Sequence, residues 1–166
     1  MKRQCGFTLI ETLVYLGLFA LVMTGIVAAA YSMLELSGRT QARGTLTAEG
    51  NFLLGKINWG LSGASGVNPP ASGSSGNTLT FTKAGSSLSF AFSGGNLTLQ
   101  RGANPVATLN NSNVTVAVTP PATSIFSHTG SGVNPESVTA SFTLSITTPN
   151  GASLSQDFST TKYLRK

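Results

Sequence analysis

Residues 5–34 read CGFTLIETLVYLGLFALVMTGIVAAAYSML, and the fold turns on how this stretch is understood. From Thr12 to Leu34 there are 23 residues without a formal charge, more than the roughly 20 needed to span hydrocarbon as a helix. Yet Glu11 stands at the start of the segment, just after Gly6 and Phe7. A carboxylate inside an apolar helix costs about 2.5 to 3.5 kcal/mol on insertion scales, so it implies a partner and a purpose. Lys2 and Arg3 lie ahead of the segment and favour an N-terminus kept in the cytoplasm, with the rest of the chain outside. Arg39 and Arg43 beyond it weigh against that orientation.

Three readings fit a segment of this length. A secretory signal peptide would use Ala28-Ala29-Ala30 as its small-residue site, with cleavage before Tyr31. A plain signal anchor would stay uncut. Neither explains Glu11 or the abrupt apolar start at Phe7. In the third, cutting between Gly6 and Phe7 creates a new α-amino group, largely cationic near neutral pH, at the same depth as Glu11. Glu11 then occupies the first helical turn, where the helix dipole favours an anion.

Gly6-Phe7-Thr8-Leu9-Ile10-Glu11 resembles the signal sequence of type IV pilins and of the pseudopilins of type II secretion and competence systems. The resemblance covers roughly residues 1 to 60. It implies that a prepilin peptidase cuts after Gly6 and methylates Phe7. It also implies that Glu11 pairs with the Phe7 amine of a neighbouring subunit as a filament grows. Further implied partners are the other pilin subunits, the inner-membrane assembly platform with its ATPase, and membrane lipid before assembly. The apolar helix has no proline, which many major pilins carry; Gly17 and Gly25 are positioned to loosen it instead.

Past the membrane the helix is expected to continue. Ala42, Leu46, Leu53 and Ile57 fall on one face of a 3.6-residue helix that ends near Trp59-Gly60, with Phe52, Leu54 and Leu61 widening the stripe. Gly38, Gly44, Gly50 and Gly55 suggest a bent or locally frayed rod. From Phe7 to Trp59 an unbroken helix would extend about 80 Å. Residues 61–77 are rich in Gly, Ser and Pro and read as a flexible surface loop.

Thereafter apolar residues alternate with Ser and Thr: Leu79 and Phe81; Leu88, Phe90 and Phe92; Leu97 and Leu99; Val114, Val116 and Val118; Val138 to Ile146; Leu154 and Phe158. That period of two marks half-buried antiparallel strands. Ser93-Gly94-Gly95-Asn96 and Pro149-Asn150-Gly151 read as hairpin turns. Thr119 to Glu136 reads as a second long loop. The expected class is α+β and pilin-like: a leader at 1–6, a transmembrane and assembly helix at 7–36, its amphipathic second half at 37–60, the loop at 61–77, and a β-rich head at 78–166 holding one sheet of about six or seven strands.

Composition argues against catalysis. Only 9% of residues are charged, and the net charge of +5 falls to +3 if the leader with Lys2 and Arg3 is removed. The only cysteine, Cys5, precedes the apolar segment, so the body of the chain has neither a disulfide nor a thiolate metal site, and no cofactor is implied. His128 stands alone in a Gly/Ser-rich loop, where an exposed side chain is expected. Glu35, Glu49, Glu136 and Asp157 are dispersed in sequence, although folding could join two of them. No nucleotide-binding loop, nucleophile elbow or zinc motif occurs. Asn96, Asn110 and Asn113 head Asn-x-Ser/Thr triplets, which arise by chance in such a composition. Lys162, Arg165 and Lys166, beside Tyr163, form a small basic C-terminus. It reads either as solubility and sheet-edge protection or, more sharply, as a DNA contact in an uptake filament. Outside the pilin resemblance, the competing function is a secreted or membrane-anchored β-rich binding module of adhesin or lectin type, cleaved after Ala30.

Overall fold

The computed structural model describes residues 8–130, 135–148 and 150–164. One helix, α1, runs over Leu9–Leu61, 53 residues in all, followed by nine strands. The chain divides into two compact units, Met1–Thr40 and Gln41–Lys166, so α1 contributes to both.

In the second unit α1 buries Ala42, Leu46, Gly50, Leu53, Ile57, Gly60 and Leu61. These recur at three- and four-residue intervals, the face the sequence marked out. Phe52 departs from it. At 46% exposure it lies off the buried stripe, one helical step of about 100° from Leu53. Helix assignment continues through all four glycines, so the expected fraying is not found. Two glycines on the face are contact points. A Cβ on Gly50 would sit 2.1 Å from Phe158 Cζ, and one on Gly60 would sit 2.9 Å from both Phe81 Cζ and Phe90 Cε2. Only hydrogen fits there, so glycine brings the helix backbone down onto the aromatic layer.

The strands are β1 (Ser75–Gly76), β2 (Thr78–Lys83), β3 (Ser86–Ser93), β4 (Asn96–Arg101), β5 (Ala107–Thr108), β6 (Val114–Ala117), β7 (Phe126–Thr129), β8 (Ser137–Thr147) and β9 (Ser153–Tyr163). They form two sheets rather than the single one expected. A four-stranded meander runs β2-β3-β4-β5. The second sheet has five strands in the order β1-β7-β8-β6, with β9 on the other side of β8. β8 organises that second sheet. β7 and β6 share one of its edges, at Ser137–Ala140 and Thr143–Ile146, while β9 pairs along its entire eleven residues. Period-two alternation marks a strand's buried face but not its partner, so the division into two sheets could not be read from it.

Both sheets and α1 close on one core, in which Leu46, Leu53, Leu79, Phe81, Phe90, Leu97, Val116, Phe126, Phe142 and Leu144 are buried. Phe81 stacks on Phe90 at 6.0 Å between centroids, and Phe142 on Phe158 at 5.9 Å. The expected turn at Ser93–Asn96 joins β3 to β4, with Gly94 and Gly95 at positive φ as a primed hairpin turn requires. Thr147 and Ser153 close the β8–β9 hairpin; Pro149 in its turn lies outside the described residues.

Two segments expected as loops contain residues that pack into the head; residues 131–134 of the second lie outside the described residues. Ala64 and Val67 of the 61–77 connector are buried, and the backbone at Ser65, Asn68 and Pro69 bonds to Thr80 and Thr82, sealing the outer edge of β2. Short apolar residues between the glycines provide the anchorage. In the Thr119–Glu136 stretch, Ile125 and Phe126 join the core and β7 pairs with β8.

Candidate functional site

The chemistry singled out by the sequence lies at the start of α1. Thr8 O accepts from the Glu11 N–H at 3.1 Å and from the Thr12 N–H at 3.2 Å, setting the first turn and placing Glu11 within it. Glu11 is exposed, with Leu9 and Ile10 beside it 82% and 74% exposed. Gly6 and Phe7 lie outside the described residues.

From Leu9 to Leu36 the large apolar side chains remain exposed. A helix both apolar and unburied is suited to lipid or to other helices rather than water. Its polar groups agree with that. The Thr12 hydroxyl donates to Leu9 O at 2.8 Å, Thr24 to Ala20 O at 2.8 Å and Ser32 to Ala28 O at 3.1 Å. Each hydroxyl is thus satisfied within the helix, as a medium without water demands. Where charges resume, Arg39 Nη2 pairs with Glu35 Oε1 at 2.7 Å one turn apart.

The family profile described as the prokaryotic N-terminal methylation motif matches residues 1–27. No curated protein and no solved structure matches the chain. That motif is the signature of type IV pilins and pseudopilins, and with one long apolar helix followed by antiparallel sheets the chain has a pilin-like α+β architecture. The matched motif supports a pilin- or pseudopilin-like precursor. The motif's family is structural, assembling with other pilin subunits, and the apolar helix is of the membrane-anchoring kind.

Elsewhere the structure revises the sequence reading. His128 is no exposed loop residue: it lies on β7, 3% exposed, its ring between two oxygens. Nδ1 donates to Pro70 O at 2.9 Å, and Nε2 meets Glu136 Oε1 at 2.7 Å. A carbonyl only accepts, so the hydrogen in the contact with Pro70 is carried by Nδ1. The cluster ties the connector to the start of β8 and borders a cavity of about 380 Å³ with Ser65, Asn68 and Ser72. The alternation Phe126-Ser127-His128-Thr129 was the signal that could have placed the ring inward. Among the described residues no three His, Cys, Asp or Glu side chains converge on a metal position.

Asn110 is a second polar residue missed by sequence reasoning. It is 7% exposed, its Oδ1 accepts from Leu97 N–H at 2.9 Å, and its Nδ2 donates to Val114 O at 2.7 Å, linking β4 to β6. Of the basic C-terminal residues, Lys162 is on β9 and half-buried, while Arg165 and Lys166 lie outside the described residues. On the outer side of α1, Phe52 and Trp59 stay exposed beneath cations. Lys56 Nζ is 5.5 Å from the Phe52 ring centre and Lys83 Nζ is 4.2 Å from that of Trp59, with Lys83 also donating to Trp59 O.

Proposed function

We propose that the chain is a structural, non-catalytic subunit of a type IV pilus or of a type II secretion or competence pseudopilus. A prepilin peptidase cuts after Gly6 and methylates the Phe7 amine. The apolar helix holds the subunit in the inner membrane with its N-terminus in the cytoplasm and its head outside. An ATPase-driven platform then lifts it into a helical bundle that becomes a surface or periplasmic filament.

The observation that carries this reading is the matched N-terminal motif with an exposed first-turn carboxylate inside it, on an unburied apolar helix. In the bundle Glu11 meets the Phe7 amine of a neighbour. Pairing offsets two desolvation costs, whereas one unpaired buried charge costs about 3 to 5 kcal/mol. Axial register follows, because a subunit out of step leaves Glu11 unmatched. The long Gly/Ser connector, a body without a cysteine pair and a helix without proline favour a minor subunit.

Replacing Glu11 with Gln tests the assembly step: filament incorporation falls to background while the membrane-held precursor persists. Incorporation at wild-type level overturns the reading. Intact mass tests processing, with a methylated Phe7 terminus expected and Gly6→Val blocking its appearance. A terminus at Tyr31 would instead assign the chain to the secreted binding modules.

A further inference from the structure

The five-stranded sheet ends at β9, and the way its backbone is bonded decides what can lie beside it. β8 and β9 pair from Ser137 opposite Tyr163 to Thr147 opposite Ser153. Just beyond the two ends, Leu164 N–H donates to Glu136 O and Thr148 N–H donates to Ala152 O, both at 2.8 Å. Bonded and unbonded pairs alternate in an antiparallel ladder. The bonds to β8 therefore fall on Leu154, Gln156, Phe158, Thr160 and Lys162. Ser155, Asp157, Ser159 and Thr161 turn their N–H and C=O groups the other way, onto an edge that pairs with no strand among the described residues.

The other outer edges are short or closed. β1 and β5 have two residues each, the connector seals β2, and on β6 the Val116 N–H donates to Gly95 O at 2.9 Å. β9 has eleven residues and no proline, and on its outward face Ser153, Ser155, Ser159 and Thr161 are small, the larger members being Asp157, which accepts from the Thr143 hydroxyl, and Tyr163 at the end. Edge lysines are a common guard against pairing, but Lys162 shares the inward face with Phe158.

The geometry points to strand addition at this edge: an extended segment of a different protein chain continues the sheet beyond β9 through backbone hydrogen bonds. Both faces define the occupant. Its outward residues lie beside the exposed Ser155, Ser159 and Thr161, which suits small polar side chains. Its inward residues extend the layer of Phe158 and the half-buried Leu154 under α1, which suits apolar ones. Charge along β9 is confined to Asp157 and Lys162, so an uncharged alternating strand fits better than an acidic or basic one. On the filament reading β9 does not meet a second β9. Filament neighbours touch through unlike patches, whereas two identical edges would close a two-fold dimer.

The test follows amide hydrogen exchange by NMR on the full chain in detergent micelles, with the synthetic peptide SVTVSVTVSVT as the probe because it is uncharged, alternates small polar with apolar residues and is not a copy of β9. Saturating peptide is expected to slow exchange at Ser155, Asp157, Ser159 and Thr161 by about tenfold or more, leaving Gln156, Phe158 and Thr160 unchanged. Ser159→Pro removes an outward N–H without touching the ladder to β8, and should weaken peptide binding about tenfold while β8 stays protected. No new protection with peptide, or equal binding by the proline variant, overturns the proposal. So does protection of the outward amides that rises with protein concentration alone, which would make a second copy the occupant. None of these outcomes bears on the filament reading, which is scored by incorporation of the Glu11 variant.

Discussion

Gly50 shows how much one absent carbon can decide. Its missing Cβ lets the Phe158 ring lie against the helix backbone, so Gly50→Ala should destabilise the head by about 1 to 3 kcal/mol despite alanine's better helix propensity. Chemical denaturation would show the loss, and a smaller residue at 158 should recover part of it. Gly55, with open space around it, gives the opposite expectation: Gly55→Ala should stabilise by up to about 1 kcal/mol. Asn110 carries a comparable load through polarity. Asn110→Leu leaves the Leu97 N–H and the Val114 carbonyl without their partner, an expected cost of about 1 to 3 kcal/mol visible as a lowered denaturation midpoint. Neither role was legible beforehand. A glycine in a helix looks like an interruption until its neighbour is known, and an asparagine among asparagines, serines and threonines gives no sign of burial.

At the scale of elements the sequence was most informative where the pattern was long. The alternating run Val138 to Leu144 and the stripe Leu46, Leu53 and Ile57 are buried as their periods required. β1 and β5 escaped because two residues cannot establish a period, and β7 escaped because its short alternation, Phe126 to Thr129, is set amid Gly, Ser and Pro. The β2–β3 hairpin turn hid for a different reason: Ala84 takes φ 48° and Gly85 φ 76°, so a residue ill suited to the left-handed region stands where Asn or Gly is usual. Ala84→Gly should therefore relieve about 1 kcal/mol of backbone cost, less the entropy glycine adds to the unfolded chain, and Ala84→Asn should give a net gain in thermal midpoint.

Across the molecule, α1 and both sheets contribute to one buried cluster, so the head from Gln41 onward should unfold as a unit. Phe90→Ala in the four-stranded sheet and Phe142→Ala in the five-stranded one should each cost about 3 to 5 kcal/mol. Either should lower hydrogen-exchange protection in both sheets together; loss confined to the substituted sheet would show two independent bodies. The N-terminal motif was legible because its residues sit at fixed distances from the membrane span along the chain. The β9 edge was not, because which backbone groups lack a partner is a property of register rather than of residue type.

Burial of Asn110 also governs how the protein would fare in a foreign secretory host. Three triplets satisfy the acceptor rule for N-linked sugar, but in the folded head the Asn110 amide nitrogen is engaged with Val114 O and shielded from solvent, whereas Asn96 and Asn113 are exposed. Glycopeptide mapping should find oligosaccharide at the latter two and a bare Asn110. Any chain decorated there before folding would be unable to close β4 against β6 and would be lost to quality control.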